Sequence, residues 1–207
     1  MTIKTALITG GASGLGYEFA TLLAKDAYHL ILIDIDSEKL KETKKKLEDK
    51  YKTPVNTIRK DMSTHNCASE LFEEIKETPI DVLINNAGFG LYGHFHNTDW
   101  EREASMLNLH IISTTHLTKL ILKGMVEKGQ GKILNMSSLA AFQPGPLMSI
   151  YYASKAYILS FSEAIANELK GTGVTVTVLC PGQTKTSFQE VVSQETSENK
   201  IGFNMAS

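Results

Sequence analysis

Short apolar runs alternate with longer amphipathic stretches along nearly the whole chain, and this alternation limits the fold more than any other feature. KTALIT (4–9), LILID (30–34), VNTIRK (55–60), IDVLIN (80–85), GKILNMS (131–137) and VTVTVLC (174–180) are rich in Val, Ile and Leu, mostly in unbroken series. A strand covered on one face alternates apolar with polar residues, whereas a strand covered on both faces reads as a continuous apolar run. Helical patterns near 15–25, 37–50, 65–77, 100–128 and 152–170 separate the runs. The alternation predicts an α/β fold: six strands in a doubly wound parallel sheet, sandwiched as the middle of three layers between helices.

The 207 residues suffice for one domain with a substantial core, and a single domain is expected over 1–207. A net charge of −2 exerts no global pull on nucleic acid or an anionic membrane, so neither is expected as a partner. The basic cluster KETKKKLEDK (41–50) is interleaved with acids and reads as a solvated helix face. Cys67 and Cys180 lack metal-ligand spacing and are read as reduced thiols. The N-terminal MTIKTALITGG is too short for a signal-peptide core, and no apolar run reaches bilayer length. A cytoplasmic protein without an anchor is expected.

The first run ends in TGGASGLG, Thr9 to Gly16. A glycine loop between a strand and a helix is the arrangement that cradles a dinucleotide pyrophosphate. Gly10 permits the sharp exit from the strand, Gly14 a close backbone approach, and Gly16 tight packing of helix on sheet. Amides of Ala12, Ser13, Gly14, Leu15 and Gly16 would face the phosphates, aided by the helix dipole. Alone the loop is weak, because glycines also end strands for structural reasons. Asp34 closes the second run, 24 residues after Gly10. A carboxylate there accepts from adenosine ribose hydroxyls and repels a 2′-phosphate. Neither Ser13 nor Ile35 is basic. NAD(H) is therefore favoured, with NADP(H) possible. Asp61 in KDMS can meet the adenine amino group beside the Met62 amide, or can simply cap a helix.

YYASK (151–155) poses a choice, since both Tyr151 and Tyr152 sit within one helical turn of Lys155. Local spacing does not decide between them. Four motifs taken in order do: TGGASGLG (9–16), NNAG (85–88), Ser138 with YYASK, and PGQTKT (181–186). Together they resemble the short-chain dehydrogenase/reductase family, in its compact form, from residue 4 to about 190. The resemblance implies a Rossmann-like fold and a nicotinamide-dependent oxidoreductase acting on a carbonyl or alcohol. It selects Tyr151 with Lys155, adds Ser138, and carries a fourth catalytic residue onto Asn108 in MLNLH. It places Asn86, Ala87 and Gly88 along the cofactor cleft, with Pro181 and Gly182 turning over the nicotinamide and with Thr184 and Thr186 contacting the carboxamide or the phosphates. Asn85 and Asn86 are expected to satisfy backbone groups of adjacent strands.

The implied chemistry has a physical reading of its own. Reducing a carbonyl needs a hydride donor on carbon and a proton donor on oxygen. Tyrosine is a weak acid, of pKa roughly 10, and a nearby ammonium such as Lys155 is expected to lower that value. Ser138 would hold the substrate oxygen, and Asn108 would help position a water linking Lys155 to solvent. The rival reading is an NAD(H)-binding sensor or scaffold without turnover. Substrate is expected to meet the loops after the fourth, fifth and sixth runs through Phe89, Tyr92, Phe142, Met148 and Phe188, with Leu91 and Leu147 nearby. That apolar set suits a small ketone or secondary alcohol, a steroid-like molecule or an acyl group.

His94 and His96, with His110 and His116 on the long predicted helix, read as loop and surface residues, and no metal is expected. The resemblance implies a homodimer or homotetramer, joined through the helices at 100–128 and 152–170. It also implies a further helix and a seventh strand. The sequence ends at KIGFNMAS, 21 residues after Thr186, so it is read either as a piece of a longer protein or as a naturally shortened member lacking both.

Overall fold

The computed structural model describes residues 3–182. Six strands, β1 (Thr5–Thr9), β2 (His29–Asp34), β3 (Val55–Arg59), β4 (Val82–Asn85), β5 (Gly131–Met136) and β6 (Val174–Leu179), form one sheet in the order β3-β2-β1-β4-β5-β6. All five neighbouring pairs are parallel. Each parallel step needs a crossover, which the helices supply: α1 (Gly14–Lys25), α2 (Ser37–Tyr51), α3 (Cys67–Ile75), α4 (Trp100–Leu107), α5 (Thr114–Lys128) and α6 (Ser149–Glu168). The expected doubly wound, Rossmann-like three-layer fold is present.

Successive residues of a strand point to opposite faces, and the central strands use both. Ala6, Ile8, Leu30, Leu32, Val82 and Ile84 pack against α1 and α2 through Ala20, Ala24, Leu40 and Leu47. From the other face, Leu7, Ile31, Ile33, Leu83 and Ile133 meet Leu71, Leu117, Ile121 and Met125 of α3 and α5. Every residue of β1 is buried, which explains its unbroken apolar run. Burying a side chain such as Leu7 stabilises the fold by about 1.5–3 kcal/mol. The α2 entry is fixed by Asp36, whose Oδ1 accepts from the amides of Glu38 at 3.1 Å and Lys39 at 3.0 Å.

The long helix expected over 100–128 is not continuous. A π-helical segment, Asn108–Ser113, separates α4 from α5. Its side chains bond outward: Asn108 Nδ2 donates to the Ser63 carbonyl at 2.6 Å, and His110 is tied to two other elements. A short 3₁₀ turn at Leu139–Phe142 follows β5.

Because β1 is flanked by β2 on one side and β4 on the other, the loops leaving β1 and β4 run in opposite directions. A crevice opens where they part, at the carboxyl ends of the strands. Thr9, Asn86 and Asn85 line up across it. Asn86 Nδ2 donates to the carbonyls of Thr9 at 3.1 Å and Gly10 at 2.9 Å. The amides of Asn86 and Ala87 donate to Thr9 Oγ1, each at 3.1 Å. Asn85 turns the other way, donating to Asn135 Oδ1 at 2.8 Å and Thr118 Oγ1 at 2.9 Å, while Asn135 donates to Ser162 at 2.9 Å. Asn86 thus bonds backbone as expected, whereas Asn85 joins a buried side-chain ladder linking α5, β4, β5 and α6.

Candidate active site

The glycine loop leaves β1 at Gly10, whose φ of +63° suits a residue without a Cβ. Gly16 is more constrained still: a Cβ there would lie 1.9 Å from the Gly10 carbonyl oxygen. The α1 N-terminus faces the crevice with amides available. Its N-cap, Ser13, is extended at φ −153° and ψ 171°, its side chain makes no cap bond, and the first turn holds no acid. Free first-turn amides at the positive end of a helix fit a pyrophosphate. The loop is braced from β2 by Asp34, whose Oδ2 accepts from the Ala12 amide at 3.0 Å and whose Oδ1 accepts from Asp36 N at 3.2 Å. Each carboxylate oxygen retains a second acceptor position, so bracing the loop leaves room for a ribose hydroxyl.

At the adenine side, Asp61 Oδ1 accepts from the amide and the hydroxyl of Ser63 at 2.8 and 2.7 Å. Asp61 thus caps the turn at Ser63 rather than a helix, α3 having Asn66 as its N-cap, and Oδ2 is left for other partners. Met62 is buried beside it.

The opposite wall comes from β5 and α6. Ser138 leaves β5 in extended conformation, and its Oγ accepts from the Ala140 amide at 3.1 Å. Tyr151 and Lys155, one turn apart on α6, are both buried. Lys155 Nζ donates to the Met136 carbonyl at 3.0 Å and sits 5.7 Å from the centre of the Tyr151 ring. Ser137 Oγ donates to the Lys155 carbonyl at 2.7 Å, fastening α6 to the end of β5. Tyr152 instead packs over Gly145, where a Cβ would fall 2.3 Å from its ring. Ser138, Tyr151 and Lys155 are thus gathered at one place, and Tyr152 lies against the flanking loop.

The electrostatics differ from the sequence expectation. Burial pushes the Tyr151 phenol above its ordinary value, and a hydrogen bond from Ser138 offsets part of that rise. Burial thus outweighs the groups that favour the phenolate, so the net shift is upward despite the ammonium beside the ring. Burial also lowers Lys155, to about 8, leaving it mainly cationic at neutral pH.

Asn108 lies at the break between α4 and α5, directed at Ser63. Phe89, Leu91 and Met148 cluster with Tyr151 and Tyr152, while Phe142 is 64% exposed and outside that cluster. Tyr92 is half-buried. The loops after β4 and β5 are joined where Gly93 N donates to Leu147 O at 2.8 Å. Gly182 lies beside Leu139, and the Pro181 carbonyl accepts from the Leu139 amide at 3.0 Å. Thr184, Thr186 and Phe188 lie outside the described residues.

His110 corrects the reading of the histidines. It is 2% exposed rather than a surface residue, with partners on two elements. The signal was present in the spacing. Met106, His110, Ser113 and Leu117 recur at helical intervals, and all four are buried. His94 and His96 are exposed, as expected.

Residues 4–197 match a family described as short chain dehydrogenase. The ketoacyl reductase HetN of Nostoc sp. is 35% identical over 184 residues, which span 88% of this chain and 64% of that protein. The chain covers 55 to 64% of the length of the first curated relatives it matches. Among solved structures, a short-chain dehydrogenase from Sphingobium yanoikuyae in complex with NADPH superposes with a TM-score of 0.88 at 29% identity, covering 92% of this chain and 76% of that one. A short chain dehydrogenase/reductase from Burkholderia phymatum in complex with NAD gives 0.85 at 26% identity, covering 97% and 73%.

Proposed function

This chain belongs to the short-chain dehydrogenase/reductase family, and on that premise we propose that it moves a hydride between a nicotinamide dinucleotide and a carbonyl or secondary alcohol, with Tyr151 as general acid and base. The observation that carries the reading is the convergence of Ser138, Tyr151 and Lys155 on the wall facing the glycine-loop crevice. When bound, the nicotinamide supplies or accepts the hydride. The first-turn amides of α1 hold the pyrophosphate, Asp34 the adenosine ribose, and Asp61 with Met62 the adenine edge. Asn86, Ala87 and Gly88 form the wall after β4, and Pro181 and Gly182 that after β6. Thr184 and Thr186 are assigned to the carboxamide side.

In reduction, the Tyr151 hydroxyl gives its proton to the substrate oxygen, and Ser138 donates to that oxygen as its charge develops. The Lys155 cation stabilises the phenolate that remains, and Asn108 positions water for its reprotonation. In oxidation the phenolate takes the proton back.

NAD(H) is the preferred dinucleotide in this reading. Asp34 occupies the end of β2 beside the glycine loop, where its carboxylate opposes a 2′-phosphate. The substrate is a ketone or 3-oxoacyl-type compound lying against Phe89, Leu91, Tyr92 and Met148, with Phe142 at the rim; Phe188 is assigned to the same substrate. HetN, a ketoacyl reductase, is consistent with that class. No helix among the described residues is long and apolar enough to cross a membrane. The free thiols of Cys67 and Cys180 support a cytoplasmic location. Exposed Ile112 and Tyr157, on the segments proposed to pair, support a homodimer or homotetramer. A panel of ketones and 3-oxoacyl thioesters, followed at the nicotinamide absorbance band, tests the activity. Absence of turnover with every member, despite dinucleotide binding, would sink it.

A further inference from the structure

His110 is a buried titratable side chain to which the mechanism above gives no task. His110, in the π-helical segment, stands between the loop after β4 and helix α6. Its Nε2 accepts from the Phe89 amide at 3.2 Å, and its Nδ1 lies 2.8 Å from Ser154 Oγ. Ser154 Oγ in turn donates to the Tyr151 carbonyl at 2.7 Å.

The donors fix the protonation state. Ser154 has one hydroxyl proton, and it is committed to Tyr151, so Nδ1 must carry the hydrogen it shares with Ser154. Phe89 N is a donor, so Nε2 must be bare. The imidazole is therefore neutral and in the Nδ1–H form. A proton added at Nε2 would set two donors against each other. Around the ring stand Tyr151, Ser154 and Lys155 from α6, and Gly88 and Phe89 from the loop; Arg102 of α4 lies over the Phe89 ring, 4.8 Å from its centre. Burial and the Lys155 cation both push His110 well below its ordinary value.

The same ring sets how closely the two walls approach. A Cβ at Gly88 would lie 2.8 Å from Nε2 and 3.6 Å from Lys155 Nζ. The Tyr151 and His110 rings meet edge to face at 5.9 Å. Gly88 belongs to the dinucleotide wall, and Tyr151 to the proton-donor wall. We propose that His110 is a positioning residue: a neutral imidazole clamp that holds the loop after β4 against α6 and so fixes the gap between the dinucleotide and the Tyr151 hydroxyl. The clamp rests on the oxidoreductase reading for its effect on turnover, but not for its existence.

His110→Phe keeps a ring and loses both bonds; His110→Gln keeps an acceptor and a donor at one terminus. In the full-length protein, His110→Phe is expected to lower kcat on the order of 10- to 100-fold, because small misplacements of reacting groups cost that much. The dinucleotide Kd should change far less, and His110→Gln should restore most of kcat. Hydrogen exchange at the Phe89 amide should quicken in His110→Phe and slow again in His110→Gln. In the wild type, nitrogen NMR should show Nδ1 protonated and Nε2 bare. Unaltered kcat and unaltered Phe89 exchange in His110→Phe would overturn the clamp, as would a wild-type Nε2–H signal. Should the wild type show the expected exchange and nitrogen signals but turn over nothing, the oxidoreductase reading fails and the clamp stands.

Discussion

Lys155 presents its ammonium to the face of the Tyr151 ring, 5.7 Å from its centre, while donating to the Met136 carbonyl. The pair is buried on both sides. That geometry divides two effects that a sequence places together: the cation is near enough to stabilise a phenolate once formed, but burial dominates the resting phenol and holds it protonated.

A pH dependence follows from Lys155. Its value, lowered to about 8 by burial, means the cation is lost as pH rises through that point. Reduction needs the cation, so kcat/KM should fall above about pH 8, as the profile of kcat/KM reports groups of the free enzyme. A flat profile across that range would remove Lys155 from the mechanism.

His110 governs a separate, conformational dependence. Its folded-state value lies well below the ordinary 6.5, so the unfolded chain binds a proton that the folded one refuses. Stability should therefore be lost as pH falls below 6.5, with a limiting slope of about 1.4 kcal/mol per pH unit. Urea unfolding across mildly acidic pH, compared with His110→Gln, measures it. An equal slope in both proteins would show that other groups are responsible.

Gly16→Ala sets a Cβ against the Gly10 carbonyl oxygen, a backbone atom that cannot move without the loop. The expected cost is about 1–3 kcal/mol of stability, together with weakened dinucleotide binding. Thermal unfolding and a fluorescence titration with NADH read the two effects.

Asp34→Ser removes the charge that opposes a 2′-phosphate while leaving a short acceptor for Ala12 N. The ratio of KM for NADPH to KM for NADH should fall on the order of tenfold. A wild type that already prefers NADPH would contradict the assignment of Asp34.

The sheet was legible because its inner strands β1, β2 and β4 are buried on both faces. LILID and IDVLIN carry their own signal, and the observed β2 and β4 fall within a residue or two of those runs. Gly10 and Gly16 were legible for a similar reason, since each is fixed by backbone geometry within one loop; the choice of Tyr151 over Tyr152 came from the resemblance, because local spacing left it open. The π segment was not. Shifting the hydrogen-bond pattern over Asn108–Ser113 leaves the apolar period almost unchanged, and its companions Ser63, Phe89 and Ser154 are distant in sequence. The raised Tyr151 value was hidden likewise. Spacing shows that a lysine is close, but not how deeply the phenol is buried.

The central claim is that one phenol, and not its neighbour, exchanges the proton. Full-length Tyr151→Phe and Tyr152→Phe should be compared for kcat on any substrate the wild type reduces, with NADH affinity measured alongside. The account predicts that Tyr151→Phe loses about 10²- to 10⁴-fold in kcat and still binds NADH, while Tyr152→Phe stays within a few fold of the wild type. Turnover surviving in Tyr151→Phe, or lost only in Tyr152→Phe, would contradict it.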